Sequence, residues 1–181
     1  MYIDEKYSGR CSMSFAENKA WADTFYDQQI QILNDCLPDL DFNKVKRREV
    51  SVNCAGAYDD QNLATDVLVI GSLRIALRVR RGSSNIYHDI ALRSQLPSGN
   101  RTEVDKIQSG LGDYYLYCWT ADGINVTEWI LIDLDRFREN MDQCLSVYDH
   151  YNDDGSAFNT YSISEMIECG CCVDSFLEVL T

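Results

Sequence analysis

ATDVLVIGSLRIALRVRR, residues 64–81, is the stretch around which the chain is organised. It reads as two strand-like runs joined at Gly71-Ser72. In the second run Leu73, Ile75, Leu77 and Val79 alternate with Arg74, Ala76, Arg78 and Arg80, and a period of two puts three guanidinium groups on one strand face. In the first run Asp66 is the only charge among Ala64, Val67, Leu68, Val69 and Ile70. A lone carboxylate in such surroundings requires a cation, a metal or a proton. The pattern therefore predicts a hairpin that sets Asp66 against Arg78 or Arg80. The arginines are then either counter-ions of Asp66 or part of a phosphate or metal site.

Outward from the hairpin, Lys44–Val52 reads as a strand that is basic at one end, and residues 53–63 as a loop bringing Asp59 and Asp60 ahead of Asp66. Further upstream, Ser14 and Glu17 form a capping-box pattern. Phe15, Trp21, Ala22, Phe25, Ile32 and Cys36 follow it on a helical stripe that Pro38 ends, which predicts one helix over about 14–36 with Trp21 and Phe25 packed on a sheet face. Downstream, IYHDIALRS predicts a short strand ending near Arg93, and Thr102 caps a helix beginning Glu103-Val104-Asp105-Lys106. Strands over 113–119 and 126–133 follow, joined by an Asp122-Gly123 turn. A long helix then runs from Asp133 to about Tyr148, a polar connector covers 149–159, and Ser162 with Glu165 caps a last short helix. Strands gathered before and after a helix predict a single α/β (α+β) domain, a mixed sheet flanked by helices. Residues 1–148 form its core, and 149–181 an acidic, cysteine-containing appendage packed on the same domain.

The chain has 181 residues and a hydrophobic content of 45%, enough for one domain with a good core. No run has the length of a membrane span, and MYIDEKYSGR lacks the basic and apolar regions of a signal peptide, so the expectation is a cytoplasmic protein with no membrane partner. The eight cysteines include singly scattered Cys11, Cys36, Cys54, Cys118 and Cys144, which suits reduced thiols. Net charge is −13, unevenly spread: residues 1–110 hold 14 basic and 15 acidic side chains, residues 111–181 hold 2 and 14. The first two-thirds is thus able to meet phosphate through Lys44, Lys46, Arg47 and Arg48 and through Arg74, Arg78, Arg80 and Arg81.

A loop with Asp59 and Asp60, Asp66 on one strand, LRIALRVRR on the next, then TEVDKIQSGLGDYYLYCW as helix plus strand: this order resembles the restriction-endonuclease-like, PD-(D/E)xK nuclease superfamily, over roughly residues 14–148. The aspartate-then-RVR pattern is also similar to that of phage and mobile-element proteins. The resemblance implies divalent-metal-dependent phosphodiester hydrolysis with Mg²⁺ or Mn²⁺. Asp66 matches the superfamily aspartate. Arg78-Val79-Arg80 stands where an acid-x-lysine belongs, and arginine has no lone pair to offer a metal. Migration of the site onto the following helix makes Asp66, Glu103 and Lys106 the catalytic candidates. Asp66 and Glu103, joined by Asp60 or Glu49, would hold the metal, and Arg74, Arg78 and Arg80 with Lys106 would hold the phosphate of DNA or RNA. The alternative for the same residues is a buried ion pair of Asp66 with Arg78 or Arg80, in a fold that kept its shape and lost its metal.

Other motifs are weaker. Cys169, Cys171 and Cys172 contain a C-x-x-C spacing without the second pair that a structural zinc site requires. Tyr114, Tyr115 and Tyr117 suit base stacking or ordinary sheet packing. Two functional classes remain: a nuclease or nuclease-derived nucleic-acid-binding protein, and a non-enzymatic interaction protein whose acidic C-terminal region imitates nucleic acid or fills a protein partner's basic cleft.

Overall fold

The computed structural model describes residues 15–40, 46–47, 67–68, 73–82 and 88–177. Its elements, in chain order, are helices α1 (Phe15–Asp23) and α2 (Tyr26–Cys36), strands β1 (Lys46–Arg47), β2 (Val67–Leu68), β3 (Arg74–Arg81) and β4 (Asp89–Gln95), helix α3 (Glu103–Gln108), strands β5 (Tyr114–Thr120) and β6 (Glu128–Asp133), helix α4 (Leu134–Cys144), strands β7 (Leu145–Tyr151) and β8 (Ala157–Ser162), helix α5 (Ile163–Glu168) and strand β9 (Cys172–Phe176). The main sheet has the order β1-β2-β3-β5-β6-β9, and β4-β8-β7 make a second sheet. Only β3 and β5 run parallel in the main sheet, joined through β4 and α3, so the expected mixed sheet flanked by helices is present. The two strands β1 and β2 are two residues each, and β2 pairs antiparallel with β3 as the hairpin reading requires.

Alternation along β3 and β5 sorts side chains into two cores. On one face Ile75, Leu116, Cys118 and Leu131 pack with Leu33 of α2, with Leu77, Val79, Ile30 and Trp129 at the margin. On the other face Ala76, Tyr115, Tyr117, Ile130 and Ile132 pack against Ile90 and Leu92 of β4, Val104 and Ile107 of α3, Phe137 of α4 and Tyr161 of β8. Helix α2 thus covers one side of the sheet, and the three later helices with the second sheet cover the other. Gln28 ties α2 to the β5–β6 turn, donating to Ile124 O at 2.9 Å and accepting from Val126 N at 2.8 Å. In that turn the Asp122 carboxylate accepts from Ile124 N, Asn125 N and Thr120 Oγ1, and Gly123 takes φ +77°, a conformation that favours glycine.

Several elements differ from the sequence-based expectation. The helix expected over 14–36 is broken at Thr24-Phe25, where Thr24 Oγ1 donates to the Trp21 carbonyl at 2.7 Å and competes with the helical ladder. Phe25 is nevertheless fully buried, its ring edge-on to Trp21 at 5.1 Å, and Arg81 lies over the Trp21 ring at 4.6 Å. Strand β4 leaves the main sheet for the second one. The last long helix stops at Cys144 rather than Tyr148, because Leu145–Tyr151 pairs with β8, Leu145 opposite Tyr161. The expected connector over 149–159 is a hairpin. Its turn closes with Asn152 N donating to Ser156 O at 2.8 Å, and Gly155 adopts φ +77°. The boundary expected after Tyr148 falls inside β7, and the chain beyond it supplies the central strand of the second sheet and an edge strand of the main one. Among the described residues no helix is long and apolar enough to cross a membrane.

Candidate functional site

The β3 face that carries alanine and arginine meets α3 and the strands β4 and β5, and there the chain gathers its charged groups. Helix α3 is short and is held by its N-terminus: Thr102 Oγ1 accepts from Asp105 N at 3.1 Å while Asp105 Oδ2 accepts from Thr102 N at 2.8 Å, a reciprocal capping box. The cap fixes Glu103, the first helical residue, against β3. Arg78 Nη1 donates to Glu103 Oε1 at 2.5 Å, and Tyr115 OH donates to the same oxygen at 3.2 Å. The second oxygen, Oε2, accepts from Arg93 N of β4 at 2.9 Å. The side chains of Arg78 and Glu103 are 31% and 27% exposed, so the pair is neither a surface bridge nor sealed from water.

The pairing sets the charge states. Glu103 beside Arg78 holds the Arg78 guanidinium well above its ordinary range, against the opposing effect of burial. Burial pushes the Glu103 carboxyl up, but the Arg78 guanidinium, the Arg93 N–H and the Arg93 charge outweigh it, and the net shift is downward. The other arginines of the stripe are also engaged. Arg80 Nη1 donates to Tyr117 OH at 3.1 Å. Burial pushes the Asp89 carboxyl up overall, although Arg80 lies close enough to pull against it. Arg74 N donates to Asp113 Oδ2 at 2.6 Å, and its guanidinium reaches the same carboxylate at 3.5 Å.

The candidates are thus brought together in part. Arg78 and Glu103 meet, Arg80 lies two residues along the same β3 face on Tyr117 OH, and Lys106 lies one turn along α3 from Glu103. Arg74 sits at the start of β3 with Asp113 as its partner. Asp66, Asp59, Asp60, Glu49, Lys44 and Arg48 lie outside the described residues, and with them the expected Asp66 ion pair. Lys46 and Arg47 are β1, two strands from β3 in the same sheet. Both Glu103 oxygens are occupied by N–H and O–H donors, and among the described residues no three of His, Cys, Asp and Glu gather to hold a metal ion.

Sequence reasoning missed Arg93 and treated Tyr115 and Tyr117 as base-stackers or packing. Period two along Tyr-Tyr-Leu-Tyr-Cys-Trp does place Tyr115, Tyr117 and Trp119 on one face, but their service to Glu103 and Arg80 depends on the parallel register, in which Ala76 faces Tyr115 and Arg78 faces Tyr117. Arg93 carried no local signal, because its backbone N–H and not its side-chain pattern makes the contact. No protein-family model matches this chain, and no curated protein matches it.

Proposed function

We propose that this chain is a nuclease-like protein that binds nucleic acid without hydrolysing it, using the β3–β4–α3 arginine face. The observation that carries the reading is the locking of Glu103 by Arg78, Arg93 N and Tyr115 OH: the carboxylate that the superfamily resemblance would give to a metal anchors a guanidinium instead. Arg80 and exposed Arg93 stand beside that anchor, each with further N–H donors of the five a guanidinium carries. Fluorescence anisotropy with short DNA and RNA oligonucleotides should show binding that weakens steeply with salt and is reduced by Arg80→Ala and Arg93→Ala. Cleavage in Mg²⁺ or Mn²⁺ that vanishes in Asp66→Asn and Glu103→Gln would replace binding with hydrolysis. Absence of both binding and cleavage at low salt would remove nucleic acid altogether.

A second reading has its own observation. Residues 139–181 contain no lysine or arginine, and on β7, at the edge of its sheet, Tyr148 and Tyr151 are 71% and 60% exposed. The two cations just before, Arg136 and Arg138, donate to the Gly170 and Gly112 carbonyls. These features suit a non-enzymatic protein that offers an acidic, aromatic face to a basic partner. Two hydrogen bonds from Ser156 lower the Asp154 carboxyl, and Arg93 lies near enough to add to their effect.

A further inference from the structure

Cys144 ends α4, Cys169 caps α5, and Cys171 lies just beyond it, so two helix ends bring three thiols together far from the arginine face in sequence. Cys144 and Cys171 are fully buried in the larger core, and Cys169 packs against the same cluster with its side chain partly open to solvent. The Cys144 thiol lies close enough to Cys169 and Cys171 for both to raise its pKa. The backbone holds this geometry: Cys169 N donates to Glu165 O at 2.9 Å, Cys171 N to Met166 O at 2.8 Å, and Asp133 N to Cys171 O at 2.9 Å. All three are free thiols.

We propose that Cys169 and Cys144 form a reversible dithiol–disulfide modification site, in which Cys169 is the entry thiol and Cys144 the resolving thiol, and whose co-substrate is a low-molecular-weight disulfide. The Cys169 thiolate attacks one sulfur of the small disulfide, forming a mixed disulfide and releasing one small thiolate. Cys144 then loses its proton and attacks the Cys169 sulfur, forming the internal bond and releasing the second small thiolate. Two protein thiols are oxidised by two electrons, the small disulfide is reduced to two thiols, and the two protein protons go to the leaving groups. Exposure selects Cys169 as the entry point, since an incoming disulfide cannot reach Cys144 or Cys171 without opening the core. Cys144 resolves in preference to Cys171, because a bridge between Cys169 and Cys171 spans a single residue. Burial, first of all, and the neighbouring Cys171 and Cys169 push the Cys144 thiol up to about 12, which makes resolution the slow, base-promoted step. The bond would join the ends of α4 and α5 and enclose the β7–β8 hairpin.

The test uses the folded full chain incubated with oxidised glutathione at neutral and alkaline pH, alkylated, digested and mapped by mass spectrometry. A Cys144–Cys169 peptide pair two hydrogens lighter, formed faster at the higher pH and reversed by dithiothreitol, is the expected result. Cys144→Ser should leave a stable glutathione adduct on Cys169, and Cys171→Ser should still form the bridge. If Cys144→Ser does not fold, Cys169→Ser decides: it should leave Cys144 in the folded chain unmodified. A bridge from Cys169 to any other cysteine, a Cys169 adduct in the unaltered chain that persists at alkaline pH, or modification of Cys36 and Cys118 at the same rate would overturn the proposal.

Discussion

Glu103 is the residue on which the arginine face rests, and its energetics are set by partial burial. A pair with each side chain about 30% exposed lies between a surface bridge and a sealed one, so Glu103→Gln should cost about 1–3 kcal/mol, most of it from leaving Arg78 without its charge partner. Because the folded carboxyl titrates below its ordinary value of about 4.3, its contribution is fully present above that pH and is lost as pH falls through the folded value. Denaturant melts of the two proteins should therefore differ by a constant amount at neutral pH and converge in acid. A gap that stays unchanged down to strongly acidic pH would show that the charge of Glu103 contributes nothing. The same residue separates the functional readings, since glutamine keeps an oxygen for Arg78 but is a poor ligand for a hard cation.

At the scale of elements, α3 is the part that places the site. It is only six residues long, below the length at which a helix stands by its own propensity, so its cap and its buried Val104 and Ile107 hold it. Thr102→Ala removes the acceptor for Asp105 N and should cost about 1 kcal/mol in chemical denaturation. Since the cap also orients Glu103, the double change Thr102→Ala with Glu103→Gln should cost less than the sum of the two. Strict additivity would mean that the cap and the ion pair are independent. The Ser162 cap of α5, accepting from Glu165 N at 3.3 Å, serves the cysteine cluster as Thr102 serves the arginine face.

The whole molecule is joined across its length by the C-terminal region. Strand β8 is the middle strand of the second sheet, with Tyr161 in the core against Phe137 at 5.0 Å, and β9 completes the main sheet beside β6. Truncation after Tyr148 would uncover Ile90, Leu92 and Phe137 together. The shortened chain should lose cooperative thermal unfolding and its near-ultraviolet circular dichroism, and a truncation that still melted cooperatively would show that β8 and β9 are dispensable. A partner for the acidic face is accordingly better sought with charge reversals at Asp153 and Asp154, exposed turn residues, than with deletions.

What the sequence determined by itself was local: the two-residue period of β3 and β5, hence which side chains share a face, the Thr102 and Ser162 caps, and the Asp122-Gly123 turn. These depend on neighbours a few residues away, where backbone geometry alone ties pattern to conformation. The break at Thr24 and the end of α4 at Cys144 were not legible, because a threonine hydroxyl and a distant β8 outweighed helical periodicity there. The tertiary structure alone decided the partner of Arg78. Alternation says that a guanidinium lies on a face but not what lies opposite, and Glu103 arrives there only through the parallel β3–β5 register and the capped helix between them. The meeting of Cys144 with Cys169 was hidden for the same reason: 25 positions separate them, and packing of α4 against α5, which no repeat in the chain records, brings the two thiols together.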